Sequence, residues 1–212
     1  MQREITLKQV GYVVKGEAEL NLWGGGTGSI CMEERRIDEL TTENVIRSIN
    51  DSQFGCESYA GAEVDIYILY ERGVREYLTS ASFTAEDLVG VPNGVITGNQ
   101  KCDFKKLAEN YEKNSHVIKD DKTLLMNQDY KNDLDTNYKA KDFDHIETEY
   151  YVTVNGELSH CCYESFERAV GKATDFKKAE PNAVVIVGIQ VCAYDEDDEP
   201  IENIACKDLC EV

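Results

Sequence analysis

The sequence predicts an α+β protein of two small units, each an antiparallel sheet with one packed helix, joined by a polar, partly helical segment. Three observations predict it. Apolar and polar residues alternate in two separate stretches, one before residue 86 and one after residue 148. Each stretch also holds one segment whose apolar residues recur at three and four. Between them, residues 86–148 are rich in Asp, Asn and Lys and poor in apolar clusters. The expected units are therefore 1–85 and 149–212, with 86–148 as the connector, a division that suits a chain of 212 residues.

The elements follow in order. In "EITLKQVGYVVKGEAELNLW", Ile5 and Leu7 alternate with polar residues, and so do Ala18, Leu20 and Leu22, which predicts two antiparallel strands or one long bent strand. "SICMEERRI" predicts a third strand. In "TTENVIRSINDSQFG", Thr41 or Thr42 caps a helix that carries Val45, Ile46 and Ile49 on one side, with Gly55 beyond its end. "AEVDIYILY" is a strand, Arg72-Gly73 a hairpin turn, and 74–83 the returning strand. In the connector, "DFKKLAENYEKN" predicts a helix with Phe104, Leu107, Ala108 and Tyr111 on one face. "KDDKTLLMNQDYKNDLDTNYKAKDFD" has weak periodicity and reads as a long loop or a mobile connector. In the last unit, "YYVTVNGEL" is a strand running into an Asn155-Gly156 turn. "YESFERAVGKATDFKKAEP" is a helix stopped before Pro181, and the apolar run 183–187 predicts a strand shielded on both faces, followed by an acidic turn and a returning strand.

Charge narrows the partners. The chain has 41 acidic residues against 22 basic ones, a net charge of −19. Nucleic acid and acidic membrane surfaces repel such a chain, because affinity for both rests on Lys and Arg. A basic protein surface attracts it. Residues 149–212 hold 14 acidic and 5 basic side chains. Their densest run is Asp195, Glu196, Asp197, Asp198 and Glu199, with Glu202 close by, and these six are the candidate partner-binding residues. The run is not a calcium loop, since Pro200 stands where the EF-hand pattern requires glycine. No apolar run reaches the ~20 residues of a membrane span, and the N-terminus lacks the apolar core of a signal peptide, so a cytoplasmic location in a bacterial host is expected.

The remaining motifs point away from catalysis. "WGGGTG" contains Gly24, Gly25, Gly26 and Gly28, but no Lys follows as in a phosphate-binding loop, and Ser29 occupies the third glycine position of a dinucleotide fingerprint. These glycines are expected to form a hairpin turn. The eight cysteines show irregular spacing and are expected as thiols. Cys206 with Cys210, and His160 with Cys161 and Cys162, are the two places where metal ligands gather, and neither completes a zinc pattern. No histidine sits in a hydrolase motif. Neither a catalytic residue nor a cofactor is therefore expected.

"ITLKQVGYVVKGEAELNLWGGGTGSI" and "SINDSQFGCESYAGAEVDIY" resemble small proteins carried by mobile elements of Firmicutes bacteria. That group includes an anti-CRISPR lineage that blocks type II RNA-guided DNA nucleases. The resemblance covers the N-terminal third. It implies an acidic inhibitor of a CRISPR effector nuclease, with or without guide RNA, and transfers no active-site residue. The alternative it leaves open is a non-catalytic structural or accessory module of a phage or mobile element.

Overall fold

The computed structural model describes residues 4–22, 24–51, 58–88, 122–126 and 144–212. Of these, 62% are strand and 20% helix, which makes the protein mostly β rather than α+β. The strands are β1 (Glu4–Leu7), β2 (Gln9–Asn21), β3 (Thr27–Ile37), β4 (Ser58–Tyr70), β5 (Arg75–Thr84), β6 (Lys122–Met126), β7 (His145–Val154), β8 (Glu157–Tyr163), β9 (Val185–Tyr194) and β10 (Pro200–Glu211). The helices are α1 (Thr42–Asp51), the single turn α2 (Ala85–Leu88) and α3 (Phe166–Ala179).

The expectation of two separate sheets is corrected. Hydrogen bonds run through one mixed sheet of ten strands in the order β1-β6-β10-β9-β7-β5-β4-β2-β3, with β8 beside β7. Two pairings overturn the expectation. β1 does not turn back on β2 but pairs antiparallel with β6, Ile5 opposite Leu124. β5 pairs with β7 in parallel, Arg75 opposite Glu147. Alternation marks which residues are strand, but it does not say which strands pair. The expected long loop is also corrected in part, for Lys122–Met126 is a strand with Leu124 fully buried. The expected helix around Phe104 and the helix stop at Gly55 lie outside the described residues.

The chain divides into two compact units that interleave in sequence. One comprises 1–9, 69–77 and 115–212; the other comprises 10–68 and 78–114. In the first, β9 is central and almost wholly buried, as a doubly shielded strand requires. Asn155 and Gly156 turn with φ of 54° and 83°, joining β7 to β8. Ser165 caps α3 by accepting from the Arg168 backbone N–H at 3.4 Å, and the helix buries Ala169 and Ala173. In the second unit, Thr41 caps α1 by accepting from the Asn44 N–H at 3.1 Å, and Val45, Ile46 and Ile49 enter the core.

Gly188 in β9 shows how a missing side chain organises this sheet. It stands between Tyr151 of β7 and Asp208 of β10. A Cβ at Gly188 would overlap the Tyr151 ring, so the glycine lets the ring lie across β9. The Tyr151 hydroxyl then donates to Asp208 at 2.6 Å. Burial, followed by the Asp208 carboxylate, pushes the Tyr151 hydroxyl well above the usual tyrosine value of 10.0. A raised pKa means that the folded state keeps this proton where the unfolded chain has lost it. The stability it contributes is complete below about pH 10 and declines as pH rises above that. Alkaline unfolding measured by circular dichroism should therefore shift to higher pH in Tyr151→Phe, which has no proton to lose. An unchanged alkaline limb would show that Tyr151 does not govern it.

Candidate functional site

The second unit presents one face of its sheet to solvent. On β2, Ala18 and Leu20 turn inward at 1% and 4% exposure, so Glu17 and Glu19 turn outward. On β4, Ala62 and Val64 are buried and Glu63 is exposed between them. β2 and β4 are neighbours in the sheet, and the three carboxylates share a face. With about 6.7 Å between alternate residues and about 4.8 Å between strands, they form a small lattice of negative charge.

These acids border a cleft of about 370 Å³, whose lining also includes Thr27, Ser29 and Phe83. Its size is that of a small ligand pocket or a receptor for one long side chain. Glu17 is held in place, accepting from the Ser29 hydroxyl at 2.9 Å and facing the Cys31 thiol at 4.0 Å. Asp65, further along β4, accepts from Ser80 at 2.6 Å. Oriented carboxylates beside hydroxyl groups and an aromatic ring favour a cation, such as an ammonium or guanidinium group.

The glycine stretch closes the β2–β3 hairpin at one end of this face. The Leu22 N–H donates to the Gly26 carbonyl at 3.1 Å, and the Gly25 N–H to the Leu22 carbonyl at 2.9 Å. Gly25 and Gly26 have φ of 84° and 91°, a region that penalises any Cβ. Gly24 is exposed and has open space around its Cα, while Gly28 has already entered β3 and lines the cleft.

The acidic run lies in the other unit, at the β9–β10 turn. Asp195 is not a free contact group. Its carboxylate accepts from the backbone N–H groups of Asp197 at 3.0 Å and Glu199 at 2.9 Å, and so builds the turn. Glu196, Asp197, Asp198 and Glu199 are exposed around it, and Glu202 is exposed on β10. Asp198 has a φ of 60° and lies 3.6 Å from the His145 imidazole. His145 also meets Asp144 at 3.0 Å and Glu147 at 3.5 Å, and its ring stacks on Tyr194 with centroids 5.0 Å apart. Glu147 in turn pairs with the buried Arg75 at 3.0 Å.

Cys31, Cys192, Cys206 and Cys210 are thiols rather than disulfide halves. Burial, and for Cys206 also the nearby Asp208, raises the pKa of Cys206 and Cys210, which keeps both protonated and poor as nucleophiles or ligands. His160, Cys161 and Cys162 lie on β8. Among the described residues, no group of three His, Cys, Asp or Glu side chains is arranged to hold a metal ion, and no helix is long and apolar enough to cross a membrane.

The sequence alone points to the C-terminal run as the acidic surface and gives Glu17, Glu19 and Glu63 no prominence. Their signal is nevertheless present: Glu17-x-Glu19 alternates with Ala18 and Leu20, and Glu63-x-Asp65 with Val64 and Ile66. No protein-family model, no curated protein and no solved structure matches the chain.

Proposed function

We propose that this protein is a non-catalytic binding protein whose acidic sheet face engages a basic surface of another protein, one shaped to receive nucleic-acid phosphate. The observation that carries the reading is the row Glu17, Glu19 and Glu63 around an open cleft, in a chain of net charge −19. The cleft accommodates a protruding Lys or Arg, and the surrounding carboxylates neutralise its neighbours. The partner to test first is a type II RNA-guided DNA nuclease. The two segments that carry the resemblance contain every lining residue of the cleft except Ser82 and Phe83. The exposed acids of the β9–β10 turn form a second candidate contact, tested separately.

The test is binding of the full chain to such an effector, with and without guide RNA, by surface plasmon resonance. Glu17→Gln, Glu19→Gln and Glu63→Gln combined should weaken binding about a hundredfold, each charge-assisted hydrogen bond to the partner being worth ~1 kcal/mol. Added salt should slow association more than it speeds dissociation. Neutralising Glu196, Asp197 and Glu199 while keeping Asp195 tests the turn without dismantling it. A triple variant that binds like the wild type would remove the cleft from the mechanism. A wild-type protein that binds no effector in either state would remove the nuclease as partner.

A further inference from the structure

β3 runs in two parts, and only one of them is guarded against further pairing. Among the described residues β3 stands last in the hydrogen-bonded order, so no described strand pairs with its second edge. From Glu33 onward that edge is blunted by the charges of Glu33, Glu34, Arg35 and Arg36 and by a bulge, where Gly16 of β2 opposes Met32 and Val14 opposes Arg35. Residues 27–32 read "TGSICM" and carry neither a charge nor a proline. An edge without such devices is a template for an extended chain.

The unguarded part borders the cleft. Thr27, Gly28 and Ser29 line it from β3, and Glu17 and Glu19 from β2. Glu19 stands opposite Ser29, and Glu17 opposite Cys31. Directly opposed residues share a face, so Ser29 and Cys31 lie on the open face between the glutamates and the edge. Both are small and exposed, so the way from the edge to the glutamates passes over no long side chain. Gly28, Ile30 and Met32 take the other face, where Ile30 is half-buried and Met32 buried.

We infer that the basic partner adds a strand to β3 along residues 27–32 and sends alternate Lys or Arg side chains over Ser29 and Cys31 to Glu19 and Glu17. The inference rests on the cleft as the contact and supplies the partner's form: an extended segment in which basic residues alternate with apolar ones. Spacing sets that pattern. A strand added ~4.8 Å from β3 lies about 10 Å from β2, a gap that only a long side chain closes. Residues two apart on the added strand are separated by about 6.7 Å, the same rise that separates Glu17 from Glu19. The residue between them faces Ile30, where an apolar side chain fits. Main-chain hydrogen bonds to the edge supply affinity, and the glutamates select the side chains. A second copy of this chain is the poorer occupant, because residues 27–32 offer the glutamates no basic group.

A short synthetic peptide of alternating Arg and Val, capped at both ends, tests this against the full chain at low salt by titration calorimetry. It should bind, and a peptide of alternating Glu and Val should not. Every second amide of a strand points to the same side, so N-methylation of the Arg amides alone and of the Val amides alone strips opposite edges of the peptide. One set should weaken binding about tenfold or more, and the other should leave it nearly unchanged. Hydrogen exchange at residues 27–32 should slow when the unmodified peptide is added. Equal effects of the two methylated sets would show a peptide held by charge alone, which overturns strand addition and leaves the cleft as the contact. An unmodified peptide that does not bind overturns strand addition as well, whereas failure of the cleft itself is read separately, from the triple glutamine variant against the effector. Exchange at 27–32 that slows with protein concentration in the absence of peptide would give the edge to a second copy, and that too overturns the inference.

Discussion

Gly16→Ala is expected to destabilise the protein by about 3 kcal/mol, more than alanine at any residue of the glycine-rich turn. A Cβ at Gly16 would overlap the carbonyl oxygen of Glu63 on the adjacent strand, and the next atoms it meets are also backbone. No rotamer change relieves a clash with backbone, so the two strands must separate where Glu17 and Glu63 flank the cleft. Gly24→Ala meets nothing within 4 Å and should change stability by less than about 0.5 kcal/mol. Gly25→Ala, at a φ of 84°, should cost about 1 kcal/mol from backbone strain alone. Urea midpoints at constant slope would rank the three. If Gly16→Ala proved as mild as Gly24→Ala, β2 and β4 would not approach as closely as described.

That ranking shows what the sequence made legible. Four glycines in five positions announce a turn; Gly24, Gly25 and Gly26 stand in one, whereas Gly28 already belongs to β3. Gly16, a lone glycine inside an alternating run, looks like a break in a strand. Its actual role depends on β4, which starts about forty residues later, and no local pattern reports that neighbour. The same limit explains the error over the sheet. Ile5 and Leu7 read correctly as strand, but their partner is Leu124 and its neighbours, a five-residue strand inside a polar stretch. Short strands that rely on distant partners carry little periodicity of their own. Elements whose signals are local were legible: α1 with its Thr41 cap, α3 ending before Pro181, and the Asn155-Gly156 turn. Of the acidic surfaces, the contiguous run stands out as composition, whereas Glu17, Glu19 and Glu63 become a site only when β2 and β4 lie side by side. Asp195 shows the converse. It belongs to the run by composition, yet its carboxylate is occupied by the turn's own backbone.

Glu76→Ala should produce the other large loss, about 4 kcal/mol, by a different mechanism. Glu76 is the second residue of β5 and is 0% exposed. Periodicity gives no reason for a carboxyl group there; the reason is two tyrosines. Tyr70, at the end of β4, donates its hydroxyl to one oxygen, and Tyr150 of β7, itself fully buried, donates to the other at 2.6 Å. Tyr150 in turn packs against Phe166 of α3, with ring centroids 5.7 Å apart. Removing the carboxyl takes this acceptor from both hydroxyls, and a hydrogen bond to a charged group is worth about 1.5–3 kcal/mol. It also opens a cavity beneath Tyr150. Glu76→Gln should cost far less, about 1 kcal/mol, because the amide fills the same space and each hydroxyl can accept as well as donate. Comparing the two variants in denaturant separates the effect of hydrogen bonding and packing from that of charge. Equal costs would assign the effect to the charge, and an alanine variant within about 1 kcal/mol of the wild type would mean that water reaches the site. A double-mutant cycle between Glu76→Gln and Tyr150→Phe should then give a coupling of about 1 kcal/mol, since the pair shares one hydrogen bond. A loss of 4 kcal/mol is a large share of the ~5–15 kcal/mol that holds an ordinary domain together. The variant should therefore also be cleaved faster by protease within the buried strands β7 and β9, which a purely local defect at β5 would not produce.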